Sequence, residues 1–131
     1  MRILLDTQCW LWMAGSPDRL SPRARSLVET FDHELFLSAA SAWEIAIKHA
    51  LGKLHLPEPP ARYVPSRVER LKTLPLPIEH DHALRVALLP PHHRDPFDRM
   101  LIAQAQSEDL SILTADPIMA RYDVNVIPAS L

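Results

Sequence analysis

The strongest constraint in this chain is alternation. Short apolar runs of four or five residues recur between longer stretches of helical period, and prolines mark most of the boundaries. The runs are Arg2–Asp6, Glu34–Ser38, Thr73–Leu76, Leu110–Thr114 and Val124–Ile127. Between them the pattern predicts helices over Thr7–Ala14, Ser21–Thr30, Ser41–Leu51, Arg62–Lys72, Ile78–Leu89, Asp95–Ser107 and Pro117–Tyr122. Ser21-Pro22 reads as an N-cap followed by proline at the first helical position. Gly52 reads as the stop of the Ser41 helix. Pro75 and Pro77 demote the Thr73–Leu76 run to an edge strand. Strands separated by helices pair in parallel, because each crossover returns the chain to the same end of the sheet. The fold class is therefore α/β: a small parallel sheet of four to five strands flanked by helices, an α/β/α sandwich. The 131 residues suit one domain spanning 1–131.

Composition removes several functions. The two glycines, Gly15 and Gly52, are too far apart for a glycine-rich nucleotide loop. A lone Cys9 rules out an intrachain disulfide, a thiolate zinc site and a paired-cysteine redox centre. A reducing, cytoplasmic setting is the expectation. No run approaches the length of a membrane helix, and the first six residues lack the make-up of a secretion signal. A net charge of −2 speaks against binding nucleic acid by bulk positive charge.

Acids fall at the element junctions. Asp6 ends the first run, Glu44 lies early in the helix after the second, Asp98 opens the helix before the fourth, and Asp116 comes just after the fourth. Sites in parallel α/β sheets form at the carboxyl ends of strands, which is where these acids belong. Each also has a plain structural explanation. Asp6 and Asp116 are placed to cap the helical turns that begin after them, Ser41 and Glu44 fit a capping box, and Asp95 and Asp98 suit a helix N-terminus. Converging on one edge, however, four carboxylates repel one another. A divalent cation removes that cost, and an oxygen-rich set is what Mg²⁺ or Mn²⁺ prefers in phosphodiester chemistry.

Four segments together resemble PIN-domain proteins, in particular the VapC-type toxins of bacterial toxin–antitoxin pairs. They are Leu4-Leu-Asp-Thr7, Ser38-Ala-Ala-Ser-Ala-Trp-Glu-Ile-Ala-Ile-Lys48 with Gly52-Lys-Leu, Asp95-Pro-Phe-Asp-Arg-Met-Leu-Ile-Ala-Gln-Ala105, and Leu113-Thr-Ala-Asp116. Their order and spacing cover nearly the whole chain. The resemblance implies a Mg²⁺- or Mn²⁺-dependent endoribonuclease whose acidic set, for catalysis and metal binding, is Asp6, Glu44, Asp98 and Asp116. It makes Thr7 and Thr114 supporting residues that orient acids or water, and leaves Asp95 as a supporting or capping residue. It further implies an RNA substrate, a cognate antitoxin across the acidic groove, and a homodimer, with Trp12 and the first helices as the expected interface. One departure is Gln8, where relatives often carry histidine two residues after the first acid.

Basic residues are uneven. Between Ile45 and Lys72, six of them (Lys48, Lys53, Arg62, Arg67, Arg70 and Lys72) face only Glu58 and Glu69, which marks this segment for RNA-backbone contact. Lys48, Lys53 and Arg99 are the RNA-binding candidates. Lys48 is also placed one helical turn from Glu44, and Arg99 is near enough to pair with Asp95. His80, His82, His92 and His93 are not read as a structural metal site, because histidines at i and i+2 face different sides of a helix and a closed zinc site needs four well-placed ligands. Trp10, Trp12 and Trp43 are read as core or interface residues rather than base-stacking platforms.

Two other readings stand beside the nuclease. A non-catalytic partner-binding module would keep the fold and use the acids as caps. A receiver-type domain would want adjacent acids after the first strand and a lysine after the last. Asp6-Thr7 and the lysine-free stretch from Thr73 to Leu131 oppose it. Setting the four acids of the proposed metal site aside leaves 12 acids against 14 basic residues, so the charge of −2 belongs to the metal-free protein.

Overall fold

The structure is a computed structural model that describes residues 1–30 and 32–130. Five parallel strands form one sheet in the order β3-β2-β1-β4-β5. They are β1 (Arg2–Leu5), β2 (Glu34–Ser38), β3 (Leu74–Leu76), β4 (Ser111–Thr114) and β5 (Val126–Pro128). The helices are α1 (Thr7–Gly15), α2 (Pro22–Glu29), α3 (Ala39–Ala50), α4 (Pro60–Leu71), α5 (His80–Arg85) and α6 (Pro96–Glu108), with short 3₁₀ turns at 17–19, 86–88 and 117–121.

Alternation along each strand divides the core in two. Ile3 and Leu5, Leu35 and Leu37, Leu113 and Ile127 face one side, where α1, α2 and α4 supply Trp10, Met13, Ala24 and Tyr63. Leu4, Phe36, Ile112 and Val126 face the other, where α6 supplies Leu101, Ile102 and Ala105. The strands are apolar on both faces because both are covered, as parallel sheets require. The α/β/α sandwich expected from the alternation is the observed fold, with all five strands present.

Several local expectations change. Helix α3 starts at Ala39, and its N-cap is Ser38, whose Oγ accepts from the Ala40 N–H. Ser41 is therefore inside the helix, and the capping box with Glu44 does not form. The helix expected over 78–89 is α5 plus a 3₁₀ turn, and the chain reaches Pro90-Pro91 in extended form. The Ser21 cap stands as expected, accepting from the Ala24 N–H.

Chain order places the site. From β1 the chain steps outward to β2 and β3, then crosses back to β4 on the other side of β1. The crevice at such a reversal, beyond the carboxyl ends of the two central strands, is where ligands of open α/β sheets bind. Asp6 comes directly after β1 there, and Ala115 and Asp116 directly after β4.

Candidate metal centre

Three side-chain bridges draw the acids together. Thr7, opening α1, donates its hydroxyl to Ser41 Oγ of α3 at 2.8 Å, both buried. This docks the start of α3 against the end of β1, with Asp6 just before Thr7 and Glu44 one turn beyond Ser41. Thr114, closing β4, donates to Asp6 Oδ2 at 2.6 Å and accepts from the Asp116 N–H at 3.0 Å. His93 Nε2 lies 2.7 Å from Asp116 Oδ2. Behind these, Ser38 donates to the buried Gln104 Oε1 at 2.5 Å, and Gln104 Nε2 donates to the Pro77 carbonyl at 3.2 Å. That pair fixes α6, and with it Asp98, against the end of β2.

The outcome is a cleft of about 340 Å³ lined by Asp6, Thr7, Gln8, Glu44, Lys48, Lys53, Asp95, Asp98 and Asp116, with Leu11, Ile45 and Leu54 as its apolar wall. All four acids implied by the resemblance border it. A larger cavity of about 450 Å³, lined by Met13, Leu20, Val28 and Leu35 among others, lies at the other ends of the strands and gathers no carboxylate cluster.

The acids do not share one role. Asp95 caps α6, accepting from the Phe97 N–H at 2.8 Å. Asp116 caps the turn after it through Oδ1, accepting from the Ile118 N–H at 2.9 Å. Asp6 occupies the N-cap position of α1 yet makes no side-chain cap bond. Asp98 accepts no hydrogen bond among the described residues. Burial pushes the Asp98 carboxyl up to about 7, and the charges of Asp95, Asp6 and Glu44 add to it while His93 opposes. Burial raises Asp6 as well, the Thr114 and Thr7 hydrogen bonds oppose, and Glu44 and Asp116 raise it further.

Lys48 is the counter-charge inside the cleft. Its Nζ donates to Glu44 Oε2 at 2.5 Å. Its pKa is raised first by that hydrogen bond, with Glu44, Asp95 and Asp98 adding attraction and desolvation opposing. The helix pairing of Glu44 and Lys48 is thus present, and Lys53 joins it at the rim.

Other basic residues serve the fold. Arg99 does not pair with Asp95: its guanidinium is engaged by backbone carbonyls. It donates to the carbonyls of Val86, Leu89, Pro90 and His93 at 2.8 to 3.4 Å; those of Val86 and Pro90 also accept from the Leu89 and His92 N–H groups, whereas Leu89 and His93 lie outside any helix. Arg67 pairs with Glu58 and stacks over Tyr63, and Arg70 donates to the Ala14 carbonyl at 2.6 Å. The basic segment therefore contributes Lys48 and Lys53 to the cleft, while Arg67 and Arg70 brace α4.

His93, beside the cleft, is the residue that sequence reasoning missed. His93, Asp98 and Asp116 each offer a ligand atom, all within 4.8 Å of one another. It lies on no helix face, since residues 90–95 are not helical. Its spacing just ahead of Asp95-Pro96 was the available signal. His82, by contrast, is buried, its Nδ1 accepting from the Glu79 N–H and its Nε2 meeting Glu108 at 2.8 Å. Trp10 is a core residue and Trp12 packs partly buried against the same core. Trp43 is 57% exposed, edge-on to Phe97, so it is not part of the core.

The comparisons with known proteins agree with this architecture. The toxin–antitoxin complex VapBC2 of Rickettsia felis, solved on a promoter DNA fragment, superposes with a TM-score of 0.73 over 98% of this chain and 99% of that one, at 12% identity. VapBC-1 of Haemophilus influenzae gives 0.67 over 98% of both chains at 15% identity, and VapBC-5 of Mycobacterium tuberculosis 0.57 over 99% and 98% at 20%. A 58-residue stretch is 53% identical to Ribonuclease VapC16 of Mycobacterium tuberculosis; the match spans 44% of this chain and 41% of that protein, less than half of each. The PIN domain family matches residues 3–125, and with the five-stranded sheet and its acid-lined crevice this chain belongs to the PIN domain family.

Proposed function

We propose that this protein is a divalent-metal-dependent endoribonuclease, the toxin of a toxin–antitoxin pair. The observation that carries the reading is the pair of acids that form no helix cap. Asp95 and Asp116 cap helical turns, so their presence needs no catalysis. Asp6 caps nothing, and Asp98 has no hydrogen-bond partner among the described residues, yet both are held in the cleft at an electrostatic cost. A non-catalytic binding module has no use for that cost.

The donor set fits a hard cation. Carboxylates dominate and the cleft lining holds neither cysteine nor imidazole; His93 stands beside it, against Asp98 and Asp116. Asp6, Asp98 and Asp116 would hold Mg²⁺ or Mn²⁺, with Glu44 completing the set. The ion would supply Lewis-acid stabilisation of phosphate charge and an acidified water. The chain's own residues do the rest. Thr114 fixes one oxygen of Asp6. Lys48 balances Glu44 and, with Lys53, gives an RNA strand positive charge at the rim of an otherwise acidic cleft. Leu11, Ile45 and Leu54 form the apolar wall behind the acids.

The ribonuclease name of the relative in Mycobacterium tuberculosis supports RNA as substrate, and the VapBC neighbours support a cognate antitoxin; a homodimer belongs to the same reading. So does a cytoplasmic site of action, where the RNA is. No helix among the described residues is long and apolar enough to cross a membrane.

The test is cleavage of total RNA by purified protein in Mn²⁺ or Mg²⁺ and in EDTA. Cleavage should require metal and vanish in Asp6→Asn and Asp98→Asn, both of which should fold. Undiminished cleavage in EDTA, or in either variant, would refute the mechanism.

A further inference from the structure

Asp116 is held at both carboxylate oxygens, and what holds it is not a cap alone. Its Oδ1 accepts from the Ile118 N–H at 2.9 Å, and its Oδ2 lies 2.7 Å from His93 Nε2. The other ring nitrogen, His93 Nδ1, is 2.9 Å from the Tyr122 hydroxyl. The His93 side chain is 8% exposed. Its ring stacks on Tyr122 with centroids 5.5 Å apart and 13° between planes, while the His92 ring meets Tyr122 edge-on at 4.9 Å. The backbone of the same loop is braced by Arg99, which donates to the carbonyls of Pro90 and His93.

The hydrogen bonds fix the tautomer. A carboxylate only accepts, so Nε2 carries the hydrogen. In the neutral ring Nδ1 then accepts, and the Tyr122 hydroxyl donates to it. With the ring neutral the chain runs Tyr122 to His93 to Asp116; with the ring charged Nδ1 donates to the Tyr122 hydroxyl instead, and in both states Nε2 donates to Asp116. A histidine that served as a nitrogen ligand would need its Nε2 lone pair, and would have to give up the bond to Asp116.

We propose that His93 is a positioning residue: held by Tyr122, it orients the Asp116 carboxylate for the divalent cation without ligating it. This rests on the metal-dependent reading above. With Ile118 N–H on one oxygen and His93 on the other, the carboxylate plane is fixed from two sides, and each oxygen keeps a lone pair for the cation. Removing an outer hydrogen-bond partner of a metal ligand typically costs about 10–100-fold in metal affinity.

The test is Mn²⁺ binding by isothermal titration calorimetry on the full chain, without RNA. His93→Ala weakens Mn²⁺ by about 10–100-fold. His93→Gln, whose amide nitrogen can donate to Asp116 from nearly the same place, restores most of it. Tyr122→Phe keeps the packing, loses only the hydroxyl, and weakens binding by less than His93→Ala. In the wild-type Mn²⁺ complex, pulsed electron paramagnetic resonance shows no directly bound histidine nitrogen.

Wild-type affinity in His93→Ala would overturn the proposal, as would equal losses in the Ala and Gln variants, which mark a merely structural role. A strong nitrogen coupling to Mn²⁺ would overturn it in favour of direct ligation. A wild-type protein that binds no Mn²⁺ would instead refute the metal reading itself, and the relay with it.

Discussion

Replacing Asp98 by asparagine should stabilise the metal-free protein at neutral and alkaline pH. The carboxyl ionises near 7 in the fold, against an ordinary value of 3.8, because it is buried beside Asp95, Asp6 and Glu44. In the unfolded chain it loses its proton near its ordinary value. Between those values the folded state holds more protons than the unfolded state, so stability falls as pH rises and the full penalty applies above about 7. A difference of this size is worth at most ~4 kcal/mol. Asp98 is only partly buried, and water screens it, so ~1–2 kcal/mol is the realistic range. For a domain of this length that corresponds to roughly 4–8 °C in Tm. The assay is thermal unfolding by circular dichroism in EDTA at about pH 4.5, 6 and 8, with the two proteins compared at each pH so that shared titrations cancel. The advantage of Asp98→Asn should be smallest at the acid end and largest at the alkaline end. Adding Mn²⁺ should reverse the order, because only the wild type keeps the full ligand set. An advantage that is absent under alkaline conditions, or that grows as pH falls, would refute the reasoning about the cleft.

Three other outcomes rest on particular contacts. Arg99→Ala should lower stability by about 2 kcal/mol or more, measured by urea unfolding, since four carbonyls of the 86–93 segment lose a charged donor. Thr114→Val should leave the circular dichroism spectrum unchanged but cut metal-dependent cleavage by roughly 10-fold, because Asp6 loses the hydroxyl that orients it. Cys9 is buried, with its thiol pushed up to about 12 first by desolvation and then by Asp6. It should therefore resist a thiol reagent at mildly alkaline pH in the native state and react fully in guanidinium.

Much of the site was legible in one dimension because its acids obey two local rules. They come after strands, and they start helices. A parallel sheet puts the ends of its strands on one edge, so Asp6 and Asp116 had to approach each other once the alternation was read as parallel pairing. Glu44 needed the correct helix. The sequence suggested Ser41 as its cap, since Ser41-Ala-Trp-Glu44 has the right spacing. In the fold Ser38 takes that role and Ser41 is turned inward to Thr7, which frees Glu44 to pair with Lys48.

The roles that sequence reading did not resolve depend on contacts across long separations. Arg99 stands beside Asp98 in sequence and looked available to phosphate. Its guanidinium is claimed by carbonyls six to thirteen residues earlier, and nothing local announces that the 86–93 segment turns them toward it. His93 looked like half of an idle histidine pair. Its partners Asp116 and Tyr122 lie 23 and 29 residues away, brought to it only because β4 pairs beside β1 and the turn after it folds back over the loop. Trp43 was open between core and interface, and its exposure beside Phe97 became visible only when α3 and α6 were packed together.

The sequence by itself determined the layers, the direction of the strands and which acids meet, because hydrophobic period, proline punctuation and cap chemistry are local properties. Tertiary structure alone decided the division of labour among those acids. Capping, counter-charge and free carboxylate differ by which neighbour arrives within about 3 Å, and that is set by how distant elements pack.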